Sequence, residues 1–339
     1  MSIARPRISV VLPVYNGHEY LKDAIESVLT QSLSDFELII INDGSSDNSV
    51  LIIEKFDDPR IRFFQQTNRG LPVTLNKAIS LARGEYIARQ DQDDVCLPLR
   101  FEKQIEFLQA NTEVGMVGTS AEVWVGDART GRLLQNPTED TAIKFGLLFD
   151  NFFVHSSVMI RRTIFDEIGV YSEDKSRQPP EDYELWSRVM KKYKLANLPD
   201  ALTVYREVQG SMSRTGLNPF VPHLVRISAE NIAWASGLEV DAPEVIALSR
   251  LSHGVYEGIP RGMRLSRLKA VINAAAARIA RESGVSPTQL QPLLQARLKR
   301  LNIQYLDYRS GGLAGRVLRS KMGARLKGLL RRTLRGSQS

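Results

Sequence analysis

Phe36-Glu37-Leu38-Ile39-Ile40-Ile41-Asn42-Asp43-Gly44-Ser45-Ser46-Asp47 is the stretch on which the fold turns. An apolar run of strand length stops at an Asn-Asp-Gly turn, and Ser45, Ser46 and Asp47 then offer N-caps for a helix through Ile53. The same unit recurs on either side. Upstream, the strand-like run Arg7 to Val14 is followed by Leu21, Ala24, Ile25, Val28 and Leu29, whose spacing is the stripe of a helix packed on a sheet. Downstream, a strand from Ile61 to Phe64 precedes a helix over Leu71 to Ala82 with Gly84 as its stop, and a fourth strand, Glu85 to Arg89, runs into Asp91. Strands alternating with helices predict a mostly parallel α/β sheet with crossover helices. Ligands of such sheets sit outside the carboxyl ends of the strands, so the turns at Tyr15-Asn16-Gly17, Asp43 to Asp47 and Asp91 to Asp94 are expected to converge.

Beyond Pro98, placed at the first turn of a helix carrying Phe101, Ile105 and Leu108 inward, the pattern changes. Val114 to Val125, a turn at Gly126 to Gly131 and a run at Arg132 to Leu134 predict a hairpin. From about Ser211 onward Ala, Leu and Arg dominate and the chain reads as helical, and no internal repeat stands out. Four segments follow: 1–112, a ligand-binding half; 113–210, a second half of the same domain; 211–307, a helical region; and 308–339, a basic amphipathic tail.

With 339 residues, 43% of them hydrophobic, the chain can bury a sizeable core. Cys96 is the single cysteine, which excludes an internal disulfide and a Cys-rich zinc site and favours a reducing, cytoplasmic setting. The run from Met1 to Leu12 lacks the serial features of a signal peptide. No segment approaches the roughly 18 to 20 apolar residues of a membrane-spanning helix. The net charge of +7 is divided, with 24 Lys and Arg against 31 Asp and Glu in residues 1–210, and 21 against 7 in residues 211–339. An anionic partner for the basic part is the expectation.

Asp91 and Asp93 lie two apart at a strand end, so strand periodicity would turn both carboxylates to one side, where they can share a Mg²⁺ or Mn²⁺ ion. A capping cluster explains the motif equally well, since Asp93 or Asp94 could cap the helix that begins near Pro98. An EF-hand does not, because Val95 and Cys96 stand where that loop needs an oxygen ligand and a glycine.

Five stretches in order, Val10 to Gly17, Ile41 to Asp47, Asn68-Arg69-Gly70, Ala88 to Asp94 and Glu181-Asp182-Tyr183-Glu184-Leu185-Trp186, resemble the family 2 glycosyltransferases of the GT-A fold. The resemblance implies a Rossmann-like GT-A domain, with 1–112 as its nucleotide-sugar-binding half and 113–210 as its acceptor-side half, here with a C-terminal helical extension. It implies an inverting transfer of one sugar from a nucleotide-sugar to an acceptor hydroxyl, in bacterial cell-surface polysaccharide or lipid-linked glycan assembly. Pro13, Tyr15, Asn16, Asp43, Asn68, Arg89, Asp91 and Asp93 would bind the nucleotide-sugar, with Asp43 accepting from the nucleoside. Asp93, with Asp91, would hold Mn²⁺ or Mg²⁺. Asp182 would be the catalytic base, and Glu181, His155 and Trp186 would contact donor or acceptor. UDP is favoured over GDP or dTDP on this resemblance alone.

Plainer readings stand beside these. Asp43 can be an ordinary Asp-Gly turn, Arg89 a solvated strand-end charge, Glu181-Asp182 an acidic first helical turn after Pro179-Pro180, and His155 a structural residue. Gln90 and Gln92 depart from the family pattern, which often has apolar or small residues at these positions. The Gln/Arg-x-x-Arg-Trp signature of processive synthases is absent. A nucleotidyltransferase lacks its Gly-rich basic phosphate loop here. A decayed, non-catalytic scaffold sits poorly with Asp43, Asp91, Asp93 and Asp182 together.

In the tail, Leu313, Val317, Leu318, Met322, Leu326, Leu329, Leu330 and Leu334 recur at helical spacing among Arg316, Arg319, Lys321, Arg325, Lys327, Arg331 and Arg332. Such a helix suits an anionic membrane surface, which would place the protein peripherally on the inner face of the cell membrane, or it docks on the protein's own body. Nucleic acid is not expected, for want of aromatic interleaving.

Overall fold

The computed structural model describes residues 5–208 and 220–311. In chain order the elements are β1 (Ile8–Val14), α1 (Leu21–Leu29), β2 (Phe36–Asp43), α2 (Ser49–Ile53), β3 (Ile61–Gln66), α3 (Leu71–Leu81), β4 (Tyr86–Arg89), β5 (Val95–Cys96), α4 (Arg100–Ala110), β6 (Val114–Val125), β7 (Ala128–Leu134), α5 (Asp140–Leu147), a 3-10 turn (His155–Ser157), β8 (Met159–Arg161), α6 (Ile164–Ile168), α7 (Glu181–Val189) and β9 (Lys194–Glu207). Four helices follow: α8 (Val221–Ser236), α9 (Pro243–Ser252), α10 (Leu265–Glu282) and α11 (Pro287–Arg309). Two compact units form, Met1–Ile227 and Ser228–Ser339.

In the first unit the strands run in the order β3-β2-β1-β4-β8-β6-β9-β5, with β7 paired to β6 alone. β1, β2, β3 and β4 are mutually parallel where they pair. All eight residues of β2 are buried, as a parallel strand covered on both faces requires. From β1 the chain moves outward to β3 and returns across the sheet through α3 to β4, so a topological switch point lies between the carboxyl ends of β1 and β4. The expected stripe of α1 is confirmed, with Leu21, Ala24, Ile25 and Val28 buried. The parallel run then meets β8 in an antiparallel seam of three residue pairs, and β6 with β9 forms the other half of the sheet.

The structure corrects several local expectations. β4 ends at Arg89, so Asp91 and Asp93 stand in a loop and strand periodicity does not orient them. α2 starts at Ser49, and Asp47 serves it by accepting the Ser49 N–H, 3.0 Å. The second strand of the hairpin begins at Ala128, which shortens the turn to Gly126-Asp127 and puts a bulge at Val123/Trp124. α4 starts after Leu99 without a side-chain cap, while the Asp94 carboxylate accepts from the Arg206 N–H, 2.8 Å, and the Ser156 hydroxyl. The capping reading of Asp93-Asp94 therefore fails.

Gly44 has φ +78°, and a Cβ there would stand 2.7 Å from the Asn68 backbone nitrogen. Gly44→Ala is accordingly expected to lower stability by about 1–3 kcal/mol, through left-handed strain and this contact, in urea unfolding. An unchanged midpoint would refute the close approach.

The second unit is helical. α10 buries Leu268, Val271, Ile272, Ala275, Ala276 and Ile279 on one face. α11 runs to Arg309, so a boundary between 307 and 308 falls in its last turn. The amphipathic sequence beyond Gly311 lies outside the described residues.

Candidate active site at the switch point

A cavity of about 730 Å³ opens where β1 and β4 end. Its walls come from elements distant in sequence, and each is locked by backbone-directed hydrogen bonds. After β1, Asn16 adopts φ +49° and its side chain accepts the Ser46 N–H, 2.8 Å, while Ser45 and Ser49 hydroxyls accept the N–H groups of Asn16 and Gly17, each 3.0 Å. The loops after β1 and β2 are thus one stitched unit. Gln92 closes it from the third loop, accepting the Tyr15 N–H at 2.8 Å and donating to the Tyr15 carbonyl at 3.1 Å. A Cβ on Gly17 would collide with that amide. Tyr15 itself stays 50% exposed at the mouth.

Asp43, at the end of β2, accepts from the backbone of Arg69 and Gly70, both 2.9 Å, and from Gln66 Nε2, 2.8 Å. The dipeptide turn is real, but the carboxylate also fixes the Asn68-Arg69-Gly70 loop against the cavity. Three of its roughly four acceptor positions are thereby used.

Arg89 is buried, not solvated. Its Nη2 pairs with Asp91 at 2.5 Å and its Nη1 donates to the Gln90 carbonyl. Burial works most strongly against its charge, but Asp91 together with Tyr171 and Glu181 outweighs this and raises its pKa. Gln90 points away from the cavity, donating to the carbonyls of Asp91 and Asp94 and accepting from Arg100. Arg100 and Gln104 then tie this loop to Val158 and Val117. Gln90 is therefore a framework residue and Gln92 a loop clamp.

Burial lifts the Asp93 carboxyl to about 6, and the Asp91 charge pushes the same way. Arg89 is committed to Asp91, and Arg206 donates to the Asp93 carbonyl rather than its carboxylate. Two carboxylates therefore share the cavity without a side-chain cation paired to Asp93, a donor set that fits a hard divalent ion. Among the described residues no group of three or more His, Cys, Asp or Glu could hold a metal ion, so other ligands would have to be phosphate oxygens and water.

At the start of α7, burial raises Glu181 to about 7 and Asp182 to about 6. Asp182 Oδ1 accepts its neighbour Tyr183 N–H, 2.7 Å, and Oδ2 accepts from Asn151, 2.7 Å. The acidic first turn of α7 thus puts Glu181 on the cavity wall and holds Asp182 beside it by hydrogen bonds. His155 Nε2 shares a hydrogen bond with the Tyr171 hydroxyl, 2.8 Å, and its pKa falls well below the usual value through burial and the nearby Arg89 charge. It is neutral at pH 7.

Of the residues singled out from sequence, Pro13, Tyr15, Asn16, Asp43, Asn68, Arg89, Asp91, Asp93, His155 and Glu181 line the one cavity. Asp182 is partly exposed but does not border it. Trp186 has no exposed surface and packs behind His155, Phe153 and Tyr171, so its expected ligand contact is withdrawn in favour of a supporting role.

Residues 9–169 match the family model described as Glycosyl transferase family 2. The putative glycosyltransferase EpsE of Bacillus subtilis is 33% identical over 215 residues, 62% of this chain and 76% of its own length. The O-antigen biosynthesis glycosyltransferase WbnJ of Escherichia coli is 31% identical, over 62% of this chain and 83% of its own. The chain belongs to glycosyl transferase family 2.

Solved structures agree on the fold. S. aureus TarS 1-349 in complex with UDP-GlcNAc superposes with a TM-score of 0.59 at 20% identity, covering 90% of this chain and 92% of that one. The mannosyltransferase PcManGT from Pyrobaculum calidifontis, in complex with GDP-Man and Mn²⁺, gives 0.51 at 16% identity over 90% and 88%. The GT-A architecture with C-terminal helices is established, and the protein is a glycosyltransferase, which removes the nucleotidyltransferase reading. No helix among the described residues is long and apolar enough to cross a membrane.

In this family 2 transferase, Arg206 is the wall residue that the sequence reading passed over. Its side chain is 1% exposed, stacks on Tyr20 at 4.2 Å, donates to the Asp93 carbonyl at 2.9 Å, and pairs with Asp127 and Asp23. A signal existed, because Leu202, Val204 and Arg206 alternate onto the buried face of β9. A lysine ammonium cannot serve these partners from one planar fork. Arg206→Lys is expected to lower stability by about 1.5–3 kcal/mol, read as the urea midpoint. Full retention would sink its role as a hub.

Proposed function

We propose that this protein transfers one sugar per encounter from a nucleotide-sugar, with UDP favoured, to an acceptor hydroxyl with inversion of the anomeric centre. The names of EpsE and WbnJ are those of a putative glycosyltransferase and an O-antigen enzyme, which supports a place in cell-surface polysaccharide or lipid-linked glycan assembly. The observation that carries the mechanism is that one strand-end cavity is lined by two carboxyls that burial raises, Asp93 and Glu181, with the equally raised Asp182 next to Glu181 at the start of α7.

Pro13, Tyr15 and Asn16 would border the base and ribose, with the remaining acceptor position of Asp43 and the Asn68 loop opposite. Asp93 and Asp91 would hold Mn²⁺ or Mg²⁺. When bound, that ion would supply positive charge for the departing diphosphate. Asp182 takes the proton of the acceptor hydroxyl as its oxygen bonds to the anomeric carbon and the carbon–oxygen bond to the diphosphate breaks. Asn151 holds the carboxylate in place. One displacement, with no covalent enzyme intermediate, inverts the configuration.

Melting curves against a panel of nucleotide-sugars, with and without Mn²⁺, test the donor. NMR of the product glycoside tests the stereochemistry. Retention of configuration, or stabilisation by no nucleotide-sugar under either condition, would overturn this reading.

A further inference from the structure

The second unit carries a mixed aliphatic and basic stripe that its own core does not use. α11 turns Leu290, Arg297, Leu301 and Asp307 inward. On its opposite side Pro292, Ala296, Lys299, Ile303 and Leu306 recur four and three residues apart, all exposed, with Ile303 at 46% and Leu306 at 63%. At 3.6 residues per turn these positions form one line along the helix. Arg300 and Arg309 flank it on either side, also exposed.

Four occupants are conceivable for such a face, and charge and apolarity separate them. Asp307 is the only acidic residue in α11 and it is buried, so a second copy laid along the stripe would set Lys299, Arg300 and Arg309 against the same cations. The chain's own residues 312–339 hold eight Lys and Arg and no Asp or Glu, so they repel it as well. An anionic bilayer complements both features. Aliphatic side chains enter the headgroup boundary, and the long basic side chains reach the phosphates beside them. Nucleic acid answers the charge but has no use for exposed Ile303 and Leu306, and the stripe has no aromatic ring for a base to stack on.

We propose that the outer face of α11 is a docking surface for an anionic lipid membrane, lying in the interface plane. This inference is independent of the transfer chemistry, and its test reads no activity. Full-length protein is floated with phosphatidylcholine vesicles that contain either no anionic lipid or about one third phosphatidylglycerol. Two variants accompany it, Ile303→Ser/Leu306→Ser and Lys299→Gln/Arg300→Gln/Arg309→Gln. All five positions are exposed, and unchanged far-UV dichroism certifies the fold.

Binding is expected only to the anionic vesicles. It should weaken by about tenfold or more in the apolar variant and by roughly a hundredfold in the charge variant. Equal binding by wild type and both variants would assign attachment to residues 312–339 alone and overturn the surface. So would tighter binding to a DNA duplex than to the vesicles, or a dimer in light scattering that the apolar variant abolishes.

Discussion

Asp182→Asn is expected to lower kcat by roughly 10²–10⁴-fold while the donor KM stays within a few fold. The amide keeps the shape and can still meet Asn151 after a flip, but it cannot accept a proton. Because burial holds the Asp182 carboxyl at about 6, kcat/KM of the wild type should rise about tenfold per pH unit below that value and level off above it. Glu181, raised to about 7 beside it, titrates with Asp182 as a pair, so the profile reports the pair. Glu181→Gln is the control that assigns the base. If Asp182→Asn retains kcat and Glu181→Gln loses it, the base is Glu181, which borders the cavity.

Asp93→Asn is expected to abolish Mn²⁺-dependent donor binding in calorimetry and to cut kcat/KM by about a thousandfold or more, several kcal/mol of transition-state stabilisation. The same change should stabilise the ligand-free fold. The Asp93 carboxyl is raised in the folded chain, so the protonated form is the one the fold favours. Its contribution is present below the unfolded pKa and is lost as pH rises through about 6. At pH 7.5 the ligand-free asparagine variant should therefore melt above wild type, with the gap closing on acidification. A variant that binds donor normally with Mn²⁺ would remove Asp93 from the ion site. A variant that melts lower at pH 7.5 would contradict its strained burial.

The parallel half of the sheet was legible because its strands are short apolar runs ended by Asn, Asp and Gly, and local chemistry sets those ends. Asp43 could be placed at the cavity for the same reason. Asp91 and Asp93 could be named, but not oriented, because β4 ends two residues earlier and the loop takes its shape from Arg89, Gln90 and Gln92. The bonds of Arg89 and Gln90 are local and that of Gln92 reaches back to Tyr15, and none of them leaves a period. Arg206 escaped for a related reason, since its partners Asp23, Asp93 and Asp127 come from three other segments. Trp186 shows the opposite error, where a motif position suggested contact and packing against three aromatic side chains removed it from the surface.

The clamp between Gln92 and the Tyr15 backbone makes positions 17 and 92 epistatic. Gly17→Ala in the present background displaces the Gln92 amide and frees the Tyr15 loop. In a background where residue 92 is already small, the clamp is gone and the added methyl meets no amide. The two substitutions are therefore sub-additive in free energy, a coupling that a double-mutant cycle measures directly. A lineage changing its donor loop would have to shorten residue 92 before residue 17 could grow.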